Sequence, residues 1–462
     1  MAYPEGFPQG AAPLLRVLHG NQSANGCGGV FSRCDQHEGF FYLIEHLASQ
    51  GFIAVSVNAE RVNAPDFDRV PERAALLLEH LRRWRAWSAR GDGPLGEALV
   101  DHVDWRRVGL AGHSRGGEAV IAAHNANLES AQPCESGAVL SLAPTDKQAL
   151  TILDVPHYAV VPACDGDVLD ARGVRFFDRA LRHDEANPTP KQAIYPLGAN
   201  HNYFNALWGR DGGGCFGITP ISREAQEALA KRLAAAFFRR YLNGEAALHH
   251  AFTGDAAGPA TPEVPAWLSY ADPQRLALDD FAQAPGANAL GGAVTFEGLE
   301  AAPCGPEHAA ACSVAFAHEA DALALAWAAP GAAYESAVPA PHADVSAYTH
   351  LSFRVTQNPE EARLAGLDPA GQPAHFSVRL RDRQGREAAV STEAYGGAPF
   401  PIGATVEDPE TGTPLRLAVL RTLRLPLAAF EGVDPTQLAE VALVFDRDPR
   451  GSVYLAHLHF TR

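Results

Sequence analysis

One stretch of the chain is built for nucleophilic chemistry. Val108-Gly-Leu-Ala-Gly112-His113-Ser114-Arg115-Gly116-Gly117 sets Gly-x-Ser-x-Gly between a short apolar run and an amphipathic stretch. That context reads as strand, sharp turn and helix start. The turn holds the serine in a strained conformation, its small neighbours let helix and strand pass closely, and the hydroxyl stands at a helix N-terminus. A serine hydroxyl is a weak nucleophile at neutral pH, so a base must come from elsewhere in the chain. Pro196-Leu-Gly-Ala-Asn200-His201-Asn202-Tyr203-Phe204-Asn205 follows a later apolar run and offers His201. Between them, Tyr158-Ala-Val-Val-Pro-Ala-Cys164-Asp165-Gly-Asp167-Val168 runs into an acidic loop. Asp165 is the expected partner of His201, Asp167 the second choice and Asp170 the third. His113, His124, His157 and His183 are assigned to packing or the surface.

Acyl transfer also needs two backbone N–H donors for a tetrahedral oxyanion. Arg115, just after the serine, supplies one. The loop His19-Gly20-Asn21-Gln22, which closes an early apolar run, supplies the other from Asn21 or Gln22. Tyr203, Phe204 and Trp208 are candidate walls of a substrate pocket. An unperturbed imidazole, with a pKa of ~6.5, sets an acid limb in activity between about pH 5.5 and 7.5. No metal or cofactor is required by this chemistry.

The elements that must position these residues alternate. Leu14–Leu18, Phe52–Val57, Val108–Ala111, Ala138–Leu142, Tyr158–Val161 and Ala193–Tyr195 read as strands. Phe41–Ser49, Pro71–Ala89, Gly116–Ala126 and Ser222–Leu242 read as helices, giving an α/β domain with a mainly parallel sheet over 1–245. A segment rich in Ala, Gly, Pro and Thr follows, and 246–275 is expected to be a linker. Over 276–462 helical periodicity fades. Thr349–Val355, His375–Leu380, Val419–Pro426, Glu440–Phe445 and Ser452–Phe460 read as strands of an antiparallel sandwich.

With 462 residues and 47% hydrophobic residues the chain can bury real cores. Its net charge of −17 argues against nucleic acid or an anionic membrane as partner. No apolar run approaches the ~18 residues of a membrane span, and no signal peptide is visible at Met1. Among the cysteines, Cys27 with Cys34 and Cys304 with Cys312 are close enough to close small loops. Cys164 and Cys215 form a third candidate pair. None has metal-finger spacing, and disulfides imply an exported protein; the alternative is a set of reduced, buried thiols.

On His19-Gly20, Leu47-Ala-Ser-Gln-Gly-Phe52, Gly112-His-Ser-Arg-Gly-Gly117, Cys164-Asp-Gly-Asp167 and Asn200-His-Asn-Tyr-Phe-Asn205, residues 12–245 resemble the α/β-hydrolases. Within that family it resembles the bacterial branch that includes lipases, cutinase-like polyester hydrolases and acetylhydrolases. It implies a Ser114–His201–Asp165 triad acting on an acyl ester or polyester through an acyl-enzyme. Cutinase-like enzymes usually carry Met after the serine, where this chain has Arg115. From about residue 276 the pattern resembles galactose-binding-like jelly rolls, on Leu278-Asp279-Asp280-Phe281, Tyr348–Val355, Val378–Gly385, Leu423–Leu427 and Val453–Phe460. That implies a polysaccharide or polymer surface as partner and a structural calcium at Asp279 or Asp280. Two competing readings remain: a peptidase or amidase on the same triad, and a polysaccharide-binding protein with a relic hydrolase domain.

Overall fold

Near-continuous apolar runs in the first half cannot sit at a solvated surface, and they form strands buried on both faces. The computed structural model describes residues 1–4, 10–22, 35–63, 68–130, 133–134, 136–182, 189–211, 215–254, 264–358, 372–407, 412 and 414–462. The Cys27–Cys34 pairing lies outside the described residues. The chain divides into two compact units, one mainly Met1–Phe252 and one mainly Trp267–Arg462.

In the first unit β1 (Ala12–Leu18), β2 (Ile53–Val57), β3 (Val103–His113), β4 (Ser136–Leu142), β5 (His157–Val160) and β6 (Lys191–Pro196) pair in the order β2-β1-β3-β4-β5-β6. Every pair is parallel. The helices are α1 (Phe41–Ser49), α2 (Val70–Arg90), α3 (Arg115–Leu128), α4 (Arg175–Arg182) and α5 (Arg223–Leu242). Pro71 stands in the first turn of α2, and Gly91 at φ 68° ends it, a position an L side chain occupies only at a cost. Ser222 caps α5, its hydroxyl accepting from Ala225 N–H at 3.2 Å. All seven side chains of β1 are buried, including Arg16, whose guanidinium lies 3.9 Å over the ring of Trp84 on α2.

Two elements escape the sequence pattern. Strand β3 begins five residues before the apolar run, because Val103 and Asp104 pair with Ala12 and Pro13 although the intervening Trp105-Arg-Arg107 is amphipathic. Helix α4 is short and half charged, yet it buries Phe176, Phe177 and Ala180.

The span expected to be linker is not structureless. It holds α6 (His250–Thr253) and strand β7 (Ala266–Ala271), whose Trp267, Leu268 and Tyr270 are buried. Beyond it come β8 (Arg275–Asp279), β9 (Val294–Glu297), β10 (Leu299–Cys304), β11 (Ala322–Trp327), β12 (Ala332–Ala337), β13 (His350–Gln357) and β14 (Ser377–Asp382). The chain continues with β15 (Glu387–Ser391), β16 (Thr405–Glu407), β17 (Pro414–Arg416), β18 (Arg421–Pro426), β19 (Leu438–Phe445) and β20 (Gly451–Thr461). One antiparallel sheet runs β10-β11-β20-β13-β18 with β8 also on β20; the other runs β15-β14-β19-β12-β9. Leu325, Val355 and Leu458 of the first share a core with Tyr334, Val378 and Leu443 of the second. Cys304 and Cys312 are disulfide-bonded, and Cys134 of the first unit is a free thiol. Among the described residues no helix is long and apolar enough to cross a membrane.

Asp279, the expected calcium ligand, is buried and already hydrogen-bonded. Its Oδ1 accepts from Phe281 N–H at 2.9 Å and its Oδ2 from the Tyr334 hydroxyl at 2.6 Å. Asp280 accepts from Ala282 N–H at 3.2 Å. Among the described residues no three His, Cys, Asp or Glu side chains converge as a metal site. Burial outweighs these bonds and pushes the Asp279 carboxyl up to about 6. A carboxyl raised on folding adds stability below its unfolded value of ~3.9, and that contribution is lost as pH rises through about 6. Tyr334→Phe strands one carboxylate oxygen and should destabilise this unit by about 1–3 kcal/mol, read from denaturant unfolding. The loss should be larger at pH 8 than at pH 5; equal stability of variant and parent at both would count against the pair.

Candidate active site

Strand β3 ends at His113 and α3 begins at Arg115, so Ser114 alone makes the reversal. It has φ 57° and ψ −128°, a strained backbone for a residue with a Cβ. The surrounding crossing holds it there. A Cβ on Gly112 would run into the Gly116 carbonyl, and one on Gly116 into the Leu18 carbonyl. Ser114 N–H donates to Leu142 O at 2.9 Å, and Ser114 O accepts from Gly117 N–H at 2.8 Å.

Past β6, His201 is fully buried, and its Nδ1–H donates to Asp165 Oδ2 at 2.9 Å. The other Asp165 oxygen accepts from the N–H groups of Asp167 and Val168 at 2.9 and 2.6 Å, folding the acidic loop around the carboxylate. Asp167 occupies the opposite side of the ring. Its Oδ2 lies 3.4 Å from Nε2, while 63% of its side chain is exposed. The two carboxylates that the sequence leaves as alternatives therefore flank different nitrogens. Asp170 is engaged by Arg172 at 2.8 Å and Arg175 at 3.2 Å. His201 Nε2 is buried and makes no hydrogen bond among the described residues. A cleft of about 530 Å³ is lined by both Ser114 and Asp167, the carboxylate that lies beside Nε2.

Two supports lie behind these loops, and the sequence pointed to the disulfide but not to Asp211. Asp211 Oδ2 accepts from His201 N–H at 2.8 Å and from Gly166 N–H at 3.0 Å, linking the base loop to the acid loop. The Cys164–Cys215 disulfide spans the same neighbourhood, with Cα atoms 4.8 Å apart. The pairing of these cysteines was the only hint, since Asp211 itself sits in a glycine-rich stretch with no pattern. His113, assigned to packing, donates from Nε2–H to His201 O at 2.9 Å, with ring centroids 4.9 Å apart.

The expected pocket walls lie elsewhere. Phe204 is buried behind His113, Tyr203 lies under the Arg223 guanidinium at 4.4 Å, and Trp208 stacks against His201 with centroids 6.4 Å apart. None of the three lines the cleft; Thr145, Val168 and Leu169 do. The aromatics pack instead because Trp208 donates through Nε1 to Gln36 and Tyr42 donates to Phe204 O at 3.0 Å, drawing this loop onto α1 and the turn before it.

Of the expected oxyanion donors, Arg115 and Asn21 line the cleft with Ser114, and Gln22 does not. The early loop is held from three sides. His19 Nε2 accepts from Ala59 N–H at 2.8 Å, so Nδ1–H donates to Gly20 O at 2.7 Å. Burial keeps that imidazole neutral, lowering it to about 3. Arg73, buried on α2, donates to His19 O at 3.0 Å, to Asn21 Oδ1 at 3.4 Å and to Asn63. A Cβ on Gly20 would stand 2.6 Å from Ser114 Cβ and 2.9 Å from Trp208, so the loop can approach the serine only with glycine there.

Burial by itself pulls the His201 imidazole down, but Asp165, then Asp167 and Asp211, oppose it and raise it to about 9. The acid limb expected near the ordinary imidazole value moves upward accordingly. Compared with known proteins, the chain matches no family model and no curated protein. An NMR titration of His201 should give a midpoint well above ~6.5. Asp167→Asn should lower that midpoint while preserving the Nδ1–H bond to Asp165. A wild-type midpoint at or below the free imidazole value would contradict the arrangement.

Proposed function

We propose that the chain is a serine hydrolase of carboxylic esters with an α/β-hydrolase fold, carrying a jelly-roll sandwich at its C-terminal side. The observation that carries the reading is the division of His201: Nδ1–H is bonded to buried Asp165, while unbonded Nε2 lies 3.4 Å from Asp167, a residue that lines the same cleft as strained Ser114. Neutral His201 takes the proton as Ser114 Oγ attacks the ester carbonyl, and Asp165 fixes the tautomer and stabilises the imidazolium. The N–H groups of Arg115 and the Asn21 loop receive the developing oxyanion. Return of the proton to the alkoxide expels the alcohol, and water, activated by the same imidazole, cleaves the acyl-enzyme. An imidazole protonated up to high pH cannot act as base, so kcat/KM should rise with pH through the His201 value rather than fall.

A fluorophosphonate probe should label Ser114, and Ser114→Ala should abolish both labelling and turnover of 4-nitrophenyl esters. Peptide anilide cleavage without ester cleavage would overturn the ester assignment. Asp165→Asn should cost on the order of 10⁴ in kcat, the loss that follows when a triad carboxylate is neutralised. Asp167→Asn should cost less than about tenfold and move the acid limb to lower pH, as expected for a carboxylate on the Nε2 side. Near-parental activity of Asp165→Asn would remove it from the triad.

A further inference from the structure

The cleft beside Ser114 is polar. Among its described lining residues, Val168 and Leu169 are the apolar side chains, whereas Arg115, Lys147 and Arg172 bring cations and Asp167 and Asp170 anions. Two of these charges are matched locally, since Arg172 pairs with Asp170 at 2.8 Å. Asp167 faces His201. Lys147 is exposed and pairs with no carboxylate among the described residues. The chain has three lysines. Lys191 is buried, with its ammonium bonded to Val155 O at 2.9 Å and Thr189 Oγ1 at 2.7 Å, and Lys231 lies 5.8 Å over the Tyr42 ring. Lys147 is the lysine presented to the cleft, in a chain whose net charge is −17.

The loop that carries Lys147 is rigidly built. Glu118, in the first turn of α3, accepts from Lys147 N–H at 2.8 Å, Gln148 N–H at 2.7 Å and the Thr145 hydroxyl at 2.6 Å. Asp146, between Thr145 and Lys147, accepts twice from the buried Arg179 guanidinium, at 2.6 and 3.0 Å. The helix that begins under Ser114 thus also fixes the loop that offers the ammonium. Such pre-organisation lets a cation bind an anion without first ordering its own backbone.

On the hydrolase reading above, we propose that Lys147 recognises a carboxylate on the substrate, so that the preferred ester also bears a negative charge, as in the half-ester of a dicarboxylic acid. The test compares the 4-nitrophenyl ester of adipic acid with 4-nitrophenyl methyl adipate, equal in reach and different in charge. Wild-type kcat/KM should favour the charged ester on the order of tenfold, as for one charge-assisted hydrogen bond. The preference should sit mainly in KM and shrink as salt is raised. Lys147→Glu should reverse it, and Lys147→Arg should retain it. Equal turnover of the two esters by an enzyme that labels at Ser114 would overturn this inference and leave the hydrolase reading standing. An unchanged ratio in Lys147→Glu would also overturn it. Failure of Ser114 to label would overturn both.

Discussion

The crossing of β3 and α3 allows almost no atoms between backbones, and the rest of the candidate site is arranged around it. Gly112 and Gly116 sit where a methyl group would strike a neighbouring main chain, and Ser114 takes the strained conformation that such a tight reversal demands. Because the serine backbone is bonded to Leu142 and Gly117, it cannot relax by rotating away. The same closeness brings the Leu18–Gly20 loop against the serine, and it is why Gly20 has no room for a side chain.

Charge is distributed around that crossing with a consistent logic. Buried polar groups must be bonded, and here they bond loops to loops. Glu118 ties the loop after β4 to α3, Arg73 ties α2 to the early loop, and Asp211 ties the His201 loop to the Asp165 loop. Each contact joins segments distant in sequence, so the site is held by its second ring of residues rather than by any single element. Three carboxylates around one buried imidazole then overcome the desolvation that would otherwise favour its neutral form.

Much of the architecture was legible because burial imposes period and composition. Strands β1, β2, β4, β5 and β6 are short apolar runs, and α1, α2, α3 and α5 carry an apolar stripe; these elements were located in sequence within a few residues of their observed bounds. Helix α4 and strand β7 were not, since their burial depends on neighbours rather than on their own pattern. In the second unit, β10 to β12 are rich in Ala, a residue that marks no strand period strongly, and they emerge only through pairing.

The sequence by itself pointed to a candidate nucleophile, a candidate base and an acidic loop, because a serine between glycines at a strand–helix junction has few structural uses and nucleophilic use of it needs a histidine and a carboxylate elsewhere in the chain. Tertiary structure decided which carboxylate meets which nitrogen. Asp165 and Asp167 are two residues apart, and only the fold of the loop around Asp165 Oδ1 turns one inward to Nδ1 and leaves the other exposed beside Nε2. It also moved Tyr203, Phe204 and Trp208 out of the cleft and put Lys147 into it. Side-chain direction is set by long-range contacts such as Glu118 to Lys147 and Trp208 to Gln36, and those contacts have no local signature.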